Sequence, residues 1–382
     1  MQRQGIDVYL GSRPRTLSWT LDAFIPWRSY VVIPAEGLPQ LFTFFIDCER
    51  IGSETWLDSD RISAYFGAPG MEPMPGIAAF IKERLKTPRG RVGIEDGISV
   101  YTPEGYLTRY EFDQLKQNLP DAELVDAHEI IDRLSLLKDA GTVNRFREAG
   151  RICDVGHRAV YEAIRNGGYK KRTETEIAGI AGLAMRREGS VSEWNFAGLN
   201  EISTGWRTGL GACTPPTDKP LAAGEACMFD LHSMFRLGLG DHSHNYLLAP
   251  ATPRQRWHAD NFVALVERLL ASYRAGTTPA GLLEEVRDLA QQRGCAEFVL
   301  PAVEHGIGLW GDEWKVGAET GQAHPYWTDS SHVYRENEMV IAAMQYVHPP
   351  DEVGFRYENP ILIRKDGCEV MSKYPLAIEE IA

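Results

Sequence analysis

Several things are scarce in this 382-residue sequence. Its six cysteines (Cys48, Cys153, Cys213, Cys227, Cys295 and Cys368) include no CxxC pair. That excludes a zinc knuckle and gives no disulfide framework, so they are expected as reduced, mostly buried small hydrophobes. There is no apolar run of the roughly eighteen residues a bilayer requires, and no basic-then-apolar leader opens the chain. Neither a membrane span nor a secretory signal is expected, and the sequence reads as cytoplasmic. Basic charge is in deficit: 40 Lys and Arg face 53 Asp and Glu, a net charge of -13 with a pI near 5.3. This opposes binding to a phosphate backbone, so nucleic acid is not an expected partner. Low-complexity tracts and repeats at solenoid periods are also missing.

What is present is an ordinary globular composition, 43% hydrophobic and 24% charged, in a chain too long for one core. Two domains are expected. Up to about residue 135, apolar runs such as "YVVIPA", "QLFTFFI" and "GRVGIED" alternate with helical patterns such as "MPGIAAFIKERL", the rhythm of a small α/β domain. Helical periodicity then extends from "LVDAHEIIDRL" through "YEAIRNGG", with Gly167 and Gly168 as a stop. The boundary is placed near Leu136 to Lys138, dividing the chain into 1–136 and 137–382. Thr173 and Glu176 form a capping box for a second helix. Beyond 190 come strands, then two helices ("RQRWHADNFVALVERLLASYRAG" and "PAGLLEEVRDLAQQRG"), then strands again, an order that suggests a structural pseudo-repeat.

The chemistry-bearing residues lie in the strand-rich blocks. "ACMFDLHSMF" and "HNYLLAP" flank "RLGLGD", which predicts a hairpin on which Asp230 and Asp241 can face one another. Two carboxylates so placed repel unless a cation or shared proton lies between them; otherwise one is a turn residue and the other solvated. "VEHGIGLWGDEW" sets His305 in a glycine-flanked turn after an apolar run. "GFRYENPILIRKDG" sets Glu358 near the start of an apolar strand. An oxygen-rich set with one imidazole suits manganese, zinc, iron or cobalt in a small-molecule hydrolase.

These residues resemble the pita-bread family of methionine and Xaa-Pro aminopeptidases, prolidase, creatinase and the pita-bread dimethylsulfoniopropionate lyase. In that family the ligands run Asp, Asp, His, Glu, Glu, and Asp230, Asp241, His305 and Glu358 match the first, second, third and fifth. The resemblance covers roughly 140 to 382, and the amino-terminal domain more loosely. It implies an α+β protein: a pita-bread domain, whose curved antiparallel sheet is backed by four helices, behind a smaller creatinase-like α/β domain. It also implies a homodimer and a divalent transition metal (Mn, Fe, Zn or Co), with a single ion or none both left open.

Departures from the family pattern shape the functional expectation. "ENEMVIAAMQYVH" puts Met344 where the fourth ligand, a glutamate, belongs, with Gln345 beside it; a thioether cannot replace a bridging carboxylate. Ala212 or Cys213 stands for one family histidine and Asp312 for another. "STGWRTG", "HGIGLWGDEW" and "SKYPL" are similar to stretches of the lyase, whose additional aspartate aligns with His232. His232 is therefore a candidate base at neutral pH or a replacement ligand, and Asp312 a second proton carrier. Arg207 could hold a substrate carboxylate, and Trp314, Trp206 or Trp310 could pack on a cationic group. His242 and His244 share one strand face. "PPTDKP" (215–220) could border the mouth of the site. The resulting expectation is a non-peptidase, lyase-like enzyme with a modified metal site, a lyase or hydrolase cleaving a C–S or C–N bond of a small carboxylate-bearing substrate, zwitterionic or an amide or amidine. Its alternatives are a creatinase-like metal-independent hydrolase, an Xaa-Pro aminopeptidase-like metallohydrolase, or a non-catalytic binding protein.

Overall fold

The computed structural model describes residues 1–97, 105–191, 200–210, 215–300, 304–313 and 331–382, with Glu304 and Asp312 as backbone alone. Two compact units divide at Ser135/Leu136.

In the first unit, strands β1 (Val8–Gly11), β2 (Ser29–Pro34), β3 (Gln40–Phe44), β4 (Ile62–Tyr65), β5 (Arg91–Ile94) and β6 (Glu123–Asp126) form one sheet ordered β4-β3-β2-β1-β5-β6. The pairs β1–β2 and β2–β3 are antiparallel and the rest parallel. Helices α1 (Pro14–Leu21), α2 (Cys48–Glu54), α3 (Pro73–Lys82), α4 (Arg109–Asn118) and α5 (Glu129–Ser135) complete it. Val8, Val32, Ile77, Ile81, Val92 and Leu115 join one apolar cluster.

The long helical stretch expected from residue 124 is three elements. Glu123–Asp126 is the edge strand β6, α5 ends at Ser135, and a new helix, α6 (Ala140–Ile164), begins after Asp139. Asp139 adopts an extended backbone, and its carboxylate accepts from the Thr142 amide at 2.7 Å. Such an N-cap starts a helix afresh while leaving the apolar period almost unbroken, which is why periodicity alone did not reveal the break.

The second unit holds α6, α7 (Glu174–Arg187), β7 (Glu201–Thr204), β8 (Ala226–Phe235), β9 (Gly238–Leu248), α8 (Pro253–Ser272), α9 (Pro279–Gln292), β10 (Glu304–Ile307), β11 (Asp312–Glu313), β12 (Met339–His348), β13 (Val353–Arg364), β14 (Gly367–Val370) and β15 (Glu379–Ile381). The capping box of Thr173 and Glu176 opens α7. One sheet runs β15-β9-β8-β7 and the other β11-β10-β12-β13-β14. They meet where Asn245 of β9 mimics a strand edge: its Nδ2 donates to the Arg356 carbonyl at 2.7 Å, and its Oδ1 accepts from the Arg356 amide at 3.0 Å.

Helices α6 and α7 share a core with one sheet through Ile152, Val160, Ile177, Met185, Phe229 and Leu231. Helices α8 and α9 do the same for the other through Phe262, Leu265, Val286, Met344, Tyr346 and Phe355. Because strand side chains alternate, β8 and β9 turn Asp230, His232, Asp241 and Ser243 away from the first of these cores. Among the described residues no helix is long and apolar enough to cross a membrane.

Candidate metal centre

The β8–β9 hairpin is present, but its turn is only Arg236 and Leu237, both left-handed with φ 47 and 70. The "GLGD" segment belongs to β9. The register is Asp230 opposite Ser243 and His232 opposite Asp241. The two aspartates are thus diagonal neighbours on one face, and the direct partner of Asp241 is His232. Ser243 Oγ donates to Asp230 Oδ1 at 2.8 Å.

His305 and Glu358 come from the other sheet. His305 sits within strand β10, opposite Ile341, rather than in a turn. Glu358 lies mid-strand on β13, opposite Ala343. Asp230, His232, Asp241, His305 and Glu358 are all buried. Two groups of donor atoms converge: Asp230, His232 and Asp241, and Asp241, His305 and Glu358.

The separations carry chemical information. His232 Nε2 is 3.5 Å from Asp241 Oδ1, and His305 Nε2 is 3.9 Å from Asp241 Oδ2 and 3.7 Å from Glu358 Oε1. These exceed a hydrogen bond. They fall inside the span of two ligands each about 2.1 Å from one cation, which reaches about 4.2 Å at most. Three carboxylates and two imidazoles with that spacing fit a divalent transition ion.

Arg356, two residues before Glu358 on the same strand face, supplies the balancing charge. Its Nη1 lies 2.8 Å from Glu201 Oε2 and 3.2 Å from Asp230 Oδ2, and its Nη2 lies 2.6 Å from Glu358 Oε2. Burial pushes the Asp230 carboxyl up to about 7 against the pull of Arg356. Burial also opposes ionisation of Glu358, yet Arg356 and His305 outweigh it and hold that carboxyl well below its ordinary value. A buried carboxylate pressed against a guanidinium stays charged, whereas one with weaker compensation tends to neutralise.

The remaining candidates lie elsewhere. Met344 faces the α8–α9 core, and the β12 positions that share the faces of Glu358 and Arg356 are Ala343 and Gln345. Arg207 Nε is 3.0 Å from the buried Glu174 carboxylate, and its Nη2 donates to the Pro215 carbonyl at 2.7 Å. The "PPTDKP" loop is tied to the same Glu174 through Thr217. His242 and His244 point to the α6 side, where His157 meets both rings. Trp206 is exposed, and the Trp310 amide donates to the Leu237 carbonyl. Asp312 pairs with Ile307 through its backbone; its side chain, with Ala212, Cys213 and Trp314, lies outside the described residues. Sequence reasoning missed Arg356, Glu201, Ser243 and Asn245. Only the Arg-x-Glu period-two pattern of "FRYE" could have signalled the first.

This two-unit architecture, with its sheets, paired helices and convergent acid–imidazole donors, is that of the pita-bread enzymes. The family model for metallopeptidase family M24 matches residues 144–365, and the chain belongs to that family. Among relatives, the ectoine hydrolase of Halomonas elongata is 24% identical, with 98% of this chain and 93% of that one aligned. The Xaa-Pro dipeptidase of Lactobacillus delbrueckii is 22% identical over 96% and 93%. Among solved structures, the prolidase of Pyrococcus horikoshii superposes with a TM-score of 0.80 at 19% identity, covering 98% of this chain and 96% of that one. The X-Pro aminopeptidase of Thermotoga maritima gives 0.77 at 18% identity, covering 100% and 99%. The protein is an enzyme of the hydrolase type this family comprises.

Proposed function

We propose that the protein is a metal-assisted hydrolase that opens a carbon–nitrogen bond, of an amide or amidine, in a small substrate carrying a carboxylate. The observation that carries this reading is the convergence of five buried donors in two groups that share Asp241, at separations suited to a cation. A divalent ion held there supplies Lewis-acid polarisation of the scissile group and activation of water. Asp230, Asp241, His305 and Glu358 would hold it. Arg356 keeps Asp230 and Glu358 in place and offsets part of their charge, so that a carboxylate-bearing substrate meets less repulsion. Proton transfer falls to Asp312, one of the two carriers read from the sequence.

Hydrolysis is preferred to lyase chemistry because relatives aligned over nearly the whole chain are named as a hydrolase and as dipeptidases. The lyase reading rests on three short stretches. A panel of cyclic amidines, Xaa-Pro dipeptides, guanidino acids and sulfonio compounds, assayed with and without a chelator, separates these readings. Turnover of a C–N substrate that is lost with chelator, restored by a divalent ion, and reduced about a hundredfold or more by Asp241→Ala is expected. Full activity in metal-free protein, or elimination from sulfonio compounds alone, overturns the proposal.

A further inference from the structure

We propose that His232 is itself a metal ligand, framing with Asp230 and Asp241 a second cation position beside the one outlined by Asp241, His305 and Glu358. This rests on the metal-assisted reading above.

The first argument is the shared carboxylate. Asp241 presents Oδ1 toward His232 Nε2 at 3.5 Å and Oδ2 toward His305 Nε2 at 3.9 Å. One aspartate thus faces two imidazoles through its two different oxygens, as a carboxylate bridging two cations does.

Strand geometry gives the second. His232 is two residues from Asp230, on the same face of β8, and directly across from Asp241. It is 4% exposed, and its backbone amide donates to Asn200 Oδ1 at 3.2 Å, which fixes the strand from which the ring projects.

Charge and donor supply give the third. Among the described residues, Asp230, Asp241, Glu358 and Glu201 are four buried carboxylates beside one guanidinium, Arg356. Positive charge is therefore favoured near Asp230. From β12 the register positions nearest the site are Ala343 and Gln345, so that strand brings no carboxylate. Among the described residues, the imidazole of His232 on β8 joins Asp230 and Asp241 on that side.

A contrast within the same unit sharpens the point. His258, His348 and Asp351 also converge, but His258 Nε2 and His348 Nδ1 lie 2.7 and 2.8 Å from one oxygen, Asp351 Oδ2, which Arg254 Nε also reaches at 3.0 Å. Those are the distances of hydrogen bonds and ion pairs around an anion. The wider spacing around Asp241 is what sets the His232 position apart.

Two imidazoles among three carboxylates favour cobalt, nickel or zinc over magnesium or calcium. Cobalt(II) is accordingly the probe. Metal-free full-length protein titrated with cobalt(II), followed by calorimetry and visible absorption, is expected to take up two equivalents. His232→Ala should take up one, with loss of the corresponding d–d bands. His232→Cys should gain a thiolate-to-cobalt charge-transfer band that only a direct bond produces, a readout that a merely structural role would not yield even if the alanine variant folded poorly. Two equivalents with an unchanged spectrum in His232→Ala, or no charge-transfer band in a folded His232→Cys, overturns the proposal while leaving the metal-assisted reading intact. Wild-type protein that takes up no cobalt overturns both.

Discussion

At Arg356 a single guanidinium lies within 3.2 Å of three carboxylates drawn from β7, β8 and β13. Removing one partner of a buried charge network leaves the others uncompensated, at a cost of about 3–5 kcal/mol. Arg356→Met is therefore expected to destabilise the chelated protein by about that amount in urea unfolding, with part of the loss recovered on adding cobalt or zinc, because a bound cation does for the carboxylates what the guanidinium did. Absence of any recovery would separate Arg356 from the metal site. All five converging donors were legible in the sequence, Asp230, Asp241, His305 and Glu358 as expected ligands and His232 as a base or replacement ligand. Glu201 was not: it meets Arg356 across 155 positions, a proximity only the folded sheets create. Position 344 misled for a related reason. Counting along β12 found the residue but not its face, and strand alternation sends Met344 into the core.

The β8–β9 hairpin shows the same limit for an element. Its strands followed from alternation, yet "GLGD" read as a turn because glycines commonly mark one. They serve α6 instead. A Cβ on Gly238 would lie 2.9 Å from Arg145 Cβ, and one on Gly240 would lie 2.7 Å from the Ala149 carbonyl oxygen and 2.5 Å from Ser233 Oγ. The helix backbone rests directly on the strand next to Asp241. Gly240→Ala must push α6 away, and an overpacked contact of this kind costs about 1–3 kcal/mol. The variant is expected to lose that much stability in chemical denaturation and to bind cobalt more weakly, since Asp241 moves with the strand. Unchanged stability would show that the helix can shift freely.

For the whole molecule, the helix–helix–strands order repeated along the chain was readable, because α6 to α9 carry long apolar periods and clear caps. How the two sheets join was not, because the Asn245 contact lies beyond any local pattern. A global consequence follows from the histidines on the α6 side of the hairpin. His157 is fully buried; its Nε2 donates to the His242 carbonyl at 2.8 Å, and its Nδ1 has no hydrogen-bond partner. Burial lowers its pKa to about 4 and holds His242 and His244 well below their ordinary value. The unfolded chain, with histidines near 6.5, takes up protons first. Stability from His157 is therefore complete above about pH 6.5 and is lost as pH falls toward 4, on the order of 3 kcal/mol in all. Unfolding midpoints measured from pH 7 down to 4.5 should fall steadily, and His157→Gln should flatten the slope; an identical slope in the variant would exclude this origin.

The donors of the proposed centre are divided between the two ladders: Asp230, His232 and Asp241 on one, His305 and Glu358 on the other. The pair of hydrogen bonds made by Asn245 stitches those ladders together beside Arg356. A cation gripped from both edges would act as a rivet across that seam, so that occupancy of the pocket and cohesion of the carboxy-terminal unit would become one mechanical quantity.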